Sequence, residues 1–152
     1  MSEDAVQTTE RNMPPATERS SYRCWTRDML RYGDTDAQGH VNNATFATFC
    51  ESGRVALFHE EALRPEGANF VIARLELDYR AELRYPGAID IGTRVLSIGR
   101  TSFRLGQAIF SGALCAATAE CVMVLMDDIS RKATPLTPRL RDWLAAELSV
   151  PR

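Results

Sequence analysis

The chain has 152 residues, 45% of them hydrophobic and 25% charged, which suits one domain around one core. Its formal net charge of −2 excludes a general attraction to nucleic acid or to an anionic membrane surface. No segment is long and apolar enough to span a bilayer, and the acidic opening stretch lacks the apolar core of an export signal.

Residues 1–20, rich in Ser, Thr, Glu and Pro, read as a disordered or loosely held tail, which leaves 21–152 as a single domain. A first strand is expected over 21–31. A turn-rich stretch with Gly33, Asp34, Asp36, Gly39 and Asn42 follows. Residues 43–63 read as a helix, because Phe46, Phe49, Cys50, Gly53 and Leu57 recur at spacings of three and four. Glu51, Arg54, Glu60 and Glu61 fall mostly off that stripe. Asn42 or Asn43 can cap its start, and Pro65 and Gly67 end it.

The remainder is mainly strands. Residues 69–83 alternate, with Val71, Ala73, Leu75, Leu77 and Tyr79 on one face and Arg74, Glu76, Asp78 and Arg80 on the other. Tyr85-Pro86-Gly87 turns into a strand over 88–98. Gly99-Arg100 makes a hairpin into 101–111, and Gly112 turns into 114–126. After the loop Thr134-Pro135-Leu136, residues 137–148 form a closing helix. The order predicts an α+β fold in which an antiparallel sheet covers the phenylalanine-rich face of one long helix. The four cysteines, Cys24, Cys50, Cys115 and Cys121, have neither CxxC nor Cys/His zinc spacing. They are expected to be free thiols in a reducing, cytoplasmic setting.

The chemistry concentrates in residues 31–43, where Asp34, Asp36 and His40 stand among glycines just before the helix. A helix N-terminus offers unpaired N–H groups and the positive end of the macrodipole, so it can hold an oxyanion. A nearby carboxylate can attack a carbonyl or activate water. The same acids also suit turns and caps. A calcium loop begun at Asp34 fails, since its fifth position is Gln38 and its twelfth Thr45. A transition-metal set of Asp34, Asp36 and His40 lacks a second His or a Cys, so no metal is expected. His40 can act as a base or shape the loop. Glu51 and Arg54, three apart on the helix, suggest an ion pair.

The run Tyr32-Gly33-Asp34-Thr35-Asp36-Ala37-Gln38-Gly39-His40-Val41-Asn42-Asn43-Ala44, followed by Phe46, Phe49, Glu51 and Arg54, resembles the signature of the 4-hydroxybenzoyl-CoA thioesterase family. Within it the likeness is greatest to bacterial acyl-CoA thioesterases. It extends from about residue 24 to 148, through Arg100-Thr101-Ser102-Phe103 and Arg131-Lys132-Ala133-Thr134-Pro135-Leu136. The resemblance implies a hotdog fold, a long central helix wrapped by a five-stranded antiparallel sheet. Subunits would join edge to edge as a homodimer or dimer of dimers, with the site at the interface. By the same resemblance Asp36 is the catalytic carboxylate, nucleophile or general base, and Asn43 supplies a backbone N–H to the oxyanion. Asp34 is structural, and His40 shapes the loop against the substrate. Phe46 and Phe49 border the acyl slot, and Arg100, with Thr101 and Ser102, meets the nucleotide of coenzyme A. The implied reaction takes an acyl-CoA to free acid and coenzyme A, with no cofactor beyond the coenzyme A of the substrate. A non-catalytic hotdog module binding acyl-CoA or acyl carrier protein is the alternative. A hotdog dehydratase fits poorly, because His40 follows Asp36 by only four positions.

Overall fold

The computed structural model describes residues 16–148. A 3-10 turn at Arg19–Ser21 leads to strand β1 (Cys24–Met29), and a second at Tyr32–Asp34 opens the loop before helix α1 (Asn43–Glu60). Strands β2 (Ala68–Tyr79), β3 (Ala88–Ile98), β4 (Ser102–Ser111) and β5 (Leu114–Asp127) follow, then helix α2 (Pro138–Leu148). The strands form one antiparallel sheet in the order β1-β3-β4-β5-β2, so β1 and β2 are its edges. Residues 1–15 of the expected tail lie outside the described residues. Within 16–20, Arg19 is held against the sheet, its guanidinium 4.4 Å from the Trp25 ring centre.

Helix α1 buries Phe46, Phe49, Cys50, Gly53 and Leu57 as the periodicity predicts. At Gly53 the helix comes close to the sheet, because a Cβ there would lie 2.7 Å from Ile91 Cγ2. The helix stops at Glu60, short of 63, since Ala62 turns left-handed (φ 50°) and Leu63 N–H donates back to the Phe58 carbonyl. Leu140 and Leu144 of α2 are fully buried with Phe58, Leu63 and Phe103, which closes that end of the core.

Two expectations are corrected. Arg54 lies on the buried side of α1, 4% exposed, and its Nη1 donates to Gln107 Oε1 at 3.1 Å. Gln107 Nε2 in turn donates to the Cys50 carbonyl and Thr93 Oγ1. A buried polar bridge from helix to sheet therefore replaces the expected Glu51–Arg54 ion pair, and Glu51 stays exposed. In β2, the pairing with β5 shifts between Ile72 and Arg74, so Ala73 is a bulge that reverses the alternation. Phe70 and Ile72 pair with the core residues Leu125 and Met123, and past the bulge Leu75 pairs with Cys121. Partner residues on neighbouring strands share a face, so Val71 and Ala73 do not share one with Leu75 and Leu77.

The opposite face of the sheet is covered by the chain before β1. Tyr22 is 5% exposed against Phe110, Ala108 and Trp25, and a Cβ on Gly92 would sit 2.6 Å from its ring. Tyr22 leaves the strand ladder to make this contact, which is why β1 is shorter than the expected 21–31.

Candidate active site

The loop between the second 3-10 turn and α1 is a small hairpin. Thr35 bridges Val41, Asp36 N–H donates to the His40 carbonyl at 3.0 Å, and Gly39 N–H donates to the Asp36 carbonyl at 3.0 Å. Gly39 has φ 85°, which suits glycine at the tip. Asp34 braces the base of this hairpin: its Oδ2 accepts Arg31 N–H at 2.8 Å, and its carbonyl accepts Asn42 N–H at 2.9 Å.

Asp36 is held differently. Its Oδ1 accepts the Gln38 N–H at 2.9 Å, an Asx turn within the hairpin. Its Oδ2 faces His40 Nδ1 at 3.8 Å, and the side chain is 26% exposed. One carboxylate oxygen is thus fixed by the backbone and the other faces the imidazole. Asn42, rather than Asn43, caps α1, its Oδ1 accepting from Ala44 N–H at 2.9 Å. Asn43 is the first residue of the helix, so its N–H has no acceptor within the helix. Its carbonyl accepts the Tyr79 hydroxyl at 2.9 Å, and the Tyr79 ring stands edge-on to Phe46, 5.3 Å between centres.

The structure brings Asp36 and His40 together, and Tyr79 links the Asn43 carbonyl to the Phe46 ring. Phe46 is 3% exposed and packs in the core with Phe49. Arg100, Thr101 and Ser102 lie elsewhere. The Asp36 hairpin is tied to the segment just before β3 by Val41 N–H to the Leu83 carbonyl at 2.7 Å, whereas Arg100 follows the far end of β3. That strand spans about 33 Å at ~3.3 Å per residue, so the two regions lie at opposite ends of one chain's sheet. The turn at Arg100 is braced by α2 and the loop before it: Arg141 Nη2 donates to the Gly99 carbonyl at 2.8 Å, and the Arg100 carbonyl accepts Leu136 N–H. The Arg100 side chain is exposed.

The sequence reading missed three neighbours of the loop: Tyr79, Glu82 and Arg84. Glu82 Oε1 lies 3.7 Å from His40 Nε2, and Arg84 Nη1 donates to the Gly39 carbonyl at 3.4 Å. For Glu82 and Arg84 the available signal was position, since they flank the buried Leu83. A groove of about 660 Å³ also opens between the second half of α1 and β2, lined by Arg54, Val55, Phe58, Phe70, Ile72 and Met123 among others. All four cysteines are free. Burial pushes the Cys50 thiol up to about 12 and the Cys24 thiol to about 11, so neither is a ready nucleophile. Among the described residues no three His, Cys, Asp or Glu side chains group as metal ligands, and no helix is long and apolar enough to cross a membrane.

Residues 30–144 match the family described as the thioesterase-like superfamily. The match is to that superfamily as a whole, without singling out its 4-hydroxybenzoyl-CoA branch. The 1,4-dihydroxy-2-naphthoyl-CoA hydrolase of Synechococcus elongatus is 28% identical over 125 residues, which cover 76% of this chain and 90% of that protein. The acyl-CoA thioester hydrolase YbgC of Escherichia coli O6:H1 is 30% identical over 111 residues, 69% of this chain and 83% of that one. A Thermus thermophilus thioesterase solved with coenzyme A and zinc superposes with a TM-score of 0.73 at 28% identity, covering 86% of this chain and 98% of that one.

Proposed function

The chain belongs to the thioesterase-like superfamily and is a thioester hydrolase, and we propose that its substrate is an acyl-coenzyme A, cleaved to the free acid and coenzyme A. The observation that carries this reading is the Asp36 carboxylate, which has one oxygen fixed by Gln38 N–H and the other facing the His40 imidazole at 3.8 Å in a side chain that is 26% exposed.

In this reading the thioester oxygen accepts the Asn43 N–H at the positive end of α1, which polarises the carbonyl. Asp36 Oδ2 attacks the acyl carbon, or draws a proton from a water that does so. The C–S bond breaks and its electron pair leaves on sulfur as the thiolate of coenzyme A. If an anhydride forms, water then hydrolyses it. Both routes consume one water and end with one proton to place.

Two copies are proposed to pair along the open β2 edges about a two-fold axis, as a homodimer or a dimer of such dimers. The axis turns the partner's strands to run the opposite way. The partner's Arg100 turn then stands at the end of the sheet where this chain's Asp36 hairpin lies, with Thr101 and Ser102 beside it for the nucleotide. Free thiols suit a cytoplasmic setting.

The test is thiol release from a panel of aliphatic and aromatic acyl-CoAs. Asp36→Asn should fold normally and lose about two or more orders of magnitude in kcat. A near wild-type rate in that variant removes Asp36 from the mechanism. Tight acyl-CoA binding with no thiol release from the unaltered protein indicates a binding module instead. Single turnover in ¹⁸O-water separates the routes, because only the anhydride route can place the label in Asp36.

A further inference from the structure

Glu82 and Arg84 form a clasp over the Asp36 hairpin. Leu83 between them is 3% exposed in the core, and its carbonyl accepts the N–H of Val41, which is 2% exposed. Leu83 is buried while Glu82 and Arg84 on either side of it are exposed, and both of their side chains reach the hairpin. Arg84 Nη1 donates to the Gly39 carbonyl at 3.4 Å, and Arg84 Nη2 holds Glu82 Oε2 at 3.4 Å. The remaining oxygen, Glu82 Oε1, lies 3.7 Å from His40 Nε2, and on the other side of the ring Nδ1 faces Asp36 Oδ2 at 3.8 Å. The imidazole is 17% exposed between the two carboxylates, with Arg84 the cation bound to the same clasp.

We propose that Glu82 is a positioning residue that holds His40 with its Nε2–H outward, so that Nδ1 takes up the proton Asp36 removes from the hydrolytic water. This rests on Asp36 being the carboxylate that handles that water. The steps balance. The water O–H bond breaks, the water oxygen joins the acyl carbon, and the proton passes from Asp36 Oδ2 to His40 Nδ1. Asp36 is again a carboxylate, and the imidazolium stands between two negative charges until it gives a proton to solvent beside the exposed Glu82 or to the departing thiolate. In this proposal Glu82 acts through His40 on the proton and not on the acyl group, so its effect belongs in turnover rather than in substrate binding.

The experiment uses the full chain and two variants, Glu82→Gln, which keeps an acceptor, and Glu82→Leu, which keeps none. Residue 82 is exposed, so both should unfold thermally like the wild type. The chain has only two histidines, His40 and His59. Ring ¹⁵N spectra can therefore follow His40 with His59 as internal reference. The wild type should show the Nε2–H form at His40, and Glu82→Leu should lose that preference while His59 does not change. In acyl-CoA hydrolysis kcat should fall by about 10- to 100-fold in Glu82→Leu and less in Glu82→Gln, with KM within about twofold. An unmoved His40 spectrum or a wild-type kcat in Glu82→Leu overturns the proposal. Asp36→Asn assayed in parallel keeps the two ideas apart. Full turnover there sinks the reading of Asp36, whereas the ¹⁵N spectra still judge the Glu82–His40 contact without turnover.

Discussion

Gly53 tests how tightly the helix sits on the sheet. In a helix interior Ala is favoured over Gly by about 0.8–1 kcal/mol, so an unobstructed Gly53→Ala should stabilise. The added methyl would instead meet Ile91 Cγ2 at 2.7 Å and Gln107 Nε2 at 3.1 Å. Overpacking of this kind costs about 1–3 kcal/mol, so the variant should be destabilised on balance. Gly33→Ala, with nothing within 4 Å of the added carbon, should stay within about 0.5 kcal/mol of wild type. Urea unfolding of the two variants checks both. A stabilised Gly53→Ala would mean that α1 is not seated this closely. Asp34 and Asp36 make a similar contrast, two residues apart in one loop. Asp34 has its accepting oxygen on the strand-side backbone at Arg31, while Asp36 keeps one oxygen open beside His40. Their residue type does not separate them, but the register of the hairpin does.

The helix stripe was legible because Phe46, Phe49, Cys50, Gly53 and Leu57 carry it without ambiguity, and the bounds of β3 were legible between clear turn residues. Arg54 was not. Its charge argues for solvent, and only a partner distant in the chain, Gln107, makes its burial tolerable. The bulge at Ala73 was equally hidden, since β2 reads as an even alternation until its pairing with β5 is known. Glu82 and Arg84 belonged to the site through the Val41–Leu83 backbone bond, another contact between distant segments. For the Arg54–Gln107 bridge a double-mutant cycle gives a number. Gln107→Leu alone leaves a buried guanidinium without its acceptor, whereas Arg54→Met with Gln107→Leu removes both sides. Hydrogen bonds to a charged group contribute about 1.5–3 kcal/mol, so the cycle should show a coupling of that size. Strictly additive losses would mean that the bridge does not join helix to sheet.

At the scale of the whole molecule, the separation of Asp36 from Arg100 bears on how the proposed site would be built. One chain places them at opposite ends of β3, so a substrate that needs both has to draw them from two copies. Pairing along β2 about a two-fold axis meets that need, and Ile72, 44% exposed on this edge strand, lies where the partner would cover it. Ile72→Lys should therefore shift the protein toward monomer in light scattering while its circular dichroism stays unchanged. Shared sites make a stricter prediction. Asp36→Asn and Arg100→Ala chains should each be poor hydrolases alone. When they are mixed, unfolded and refolded together, half the dimers are hybrids, and one of the two sites in each hybrid has both wild-type residues. Activity should then rise to about a quarter of the wild-type value per site, by the symmetry of an isologous pair. If both residues of a site came from one chain, every site in the mixture would carry a defect and no activity would return, so a flat result would show that Arg100 does not act across the interface.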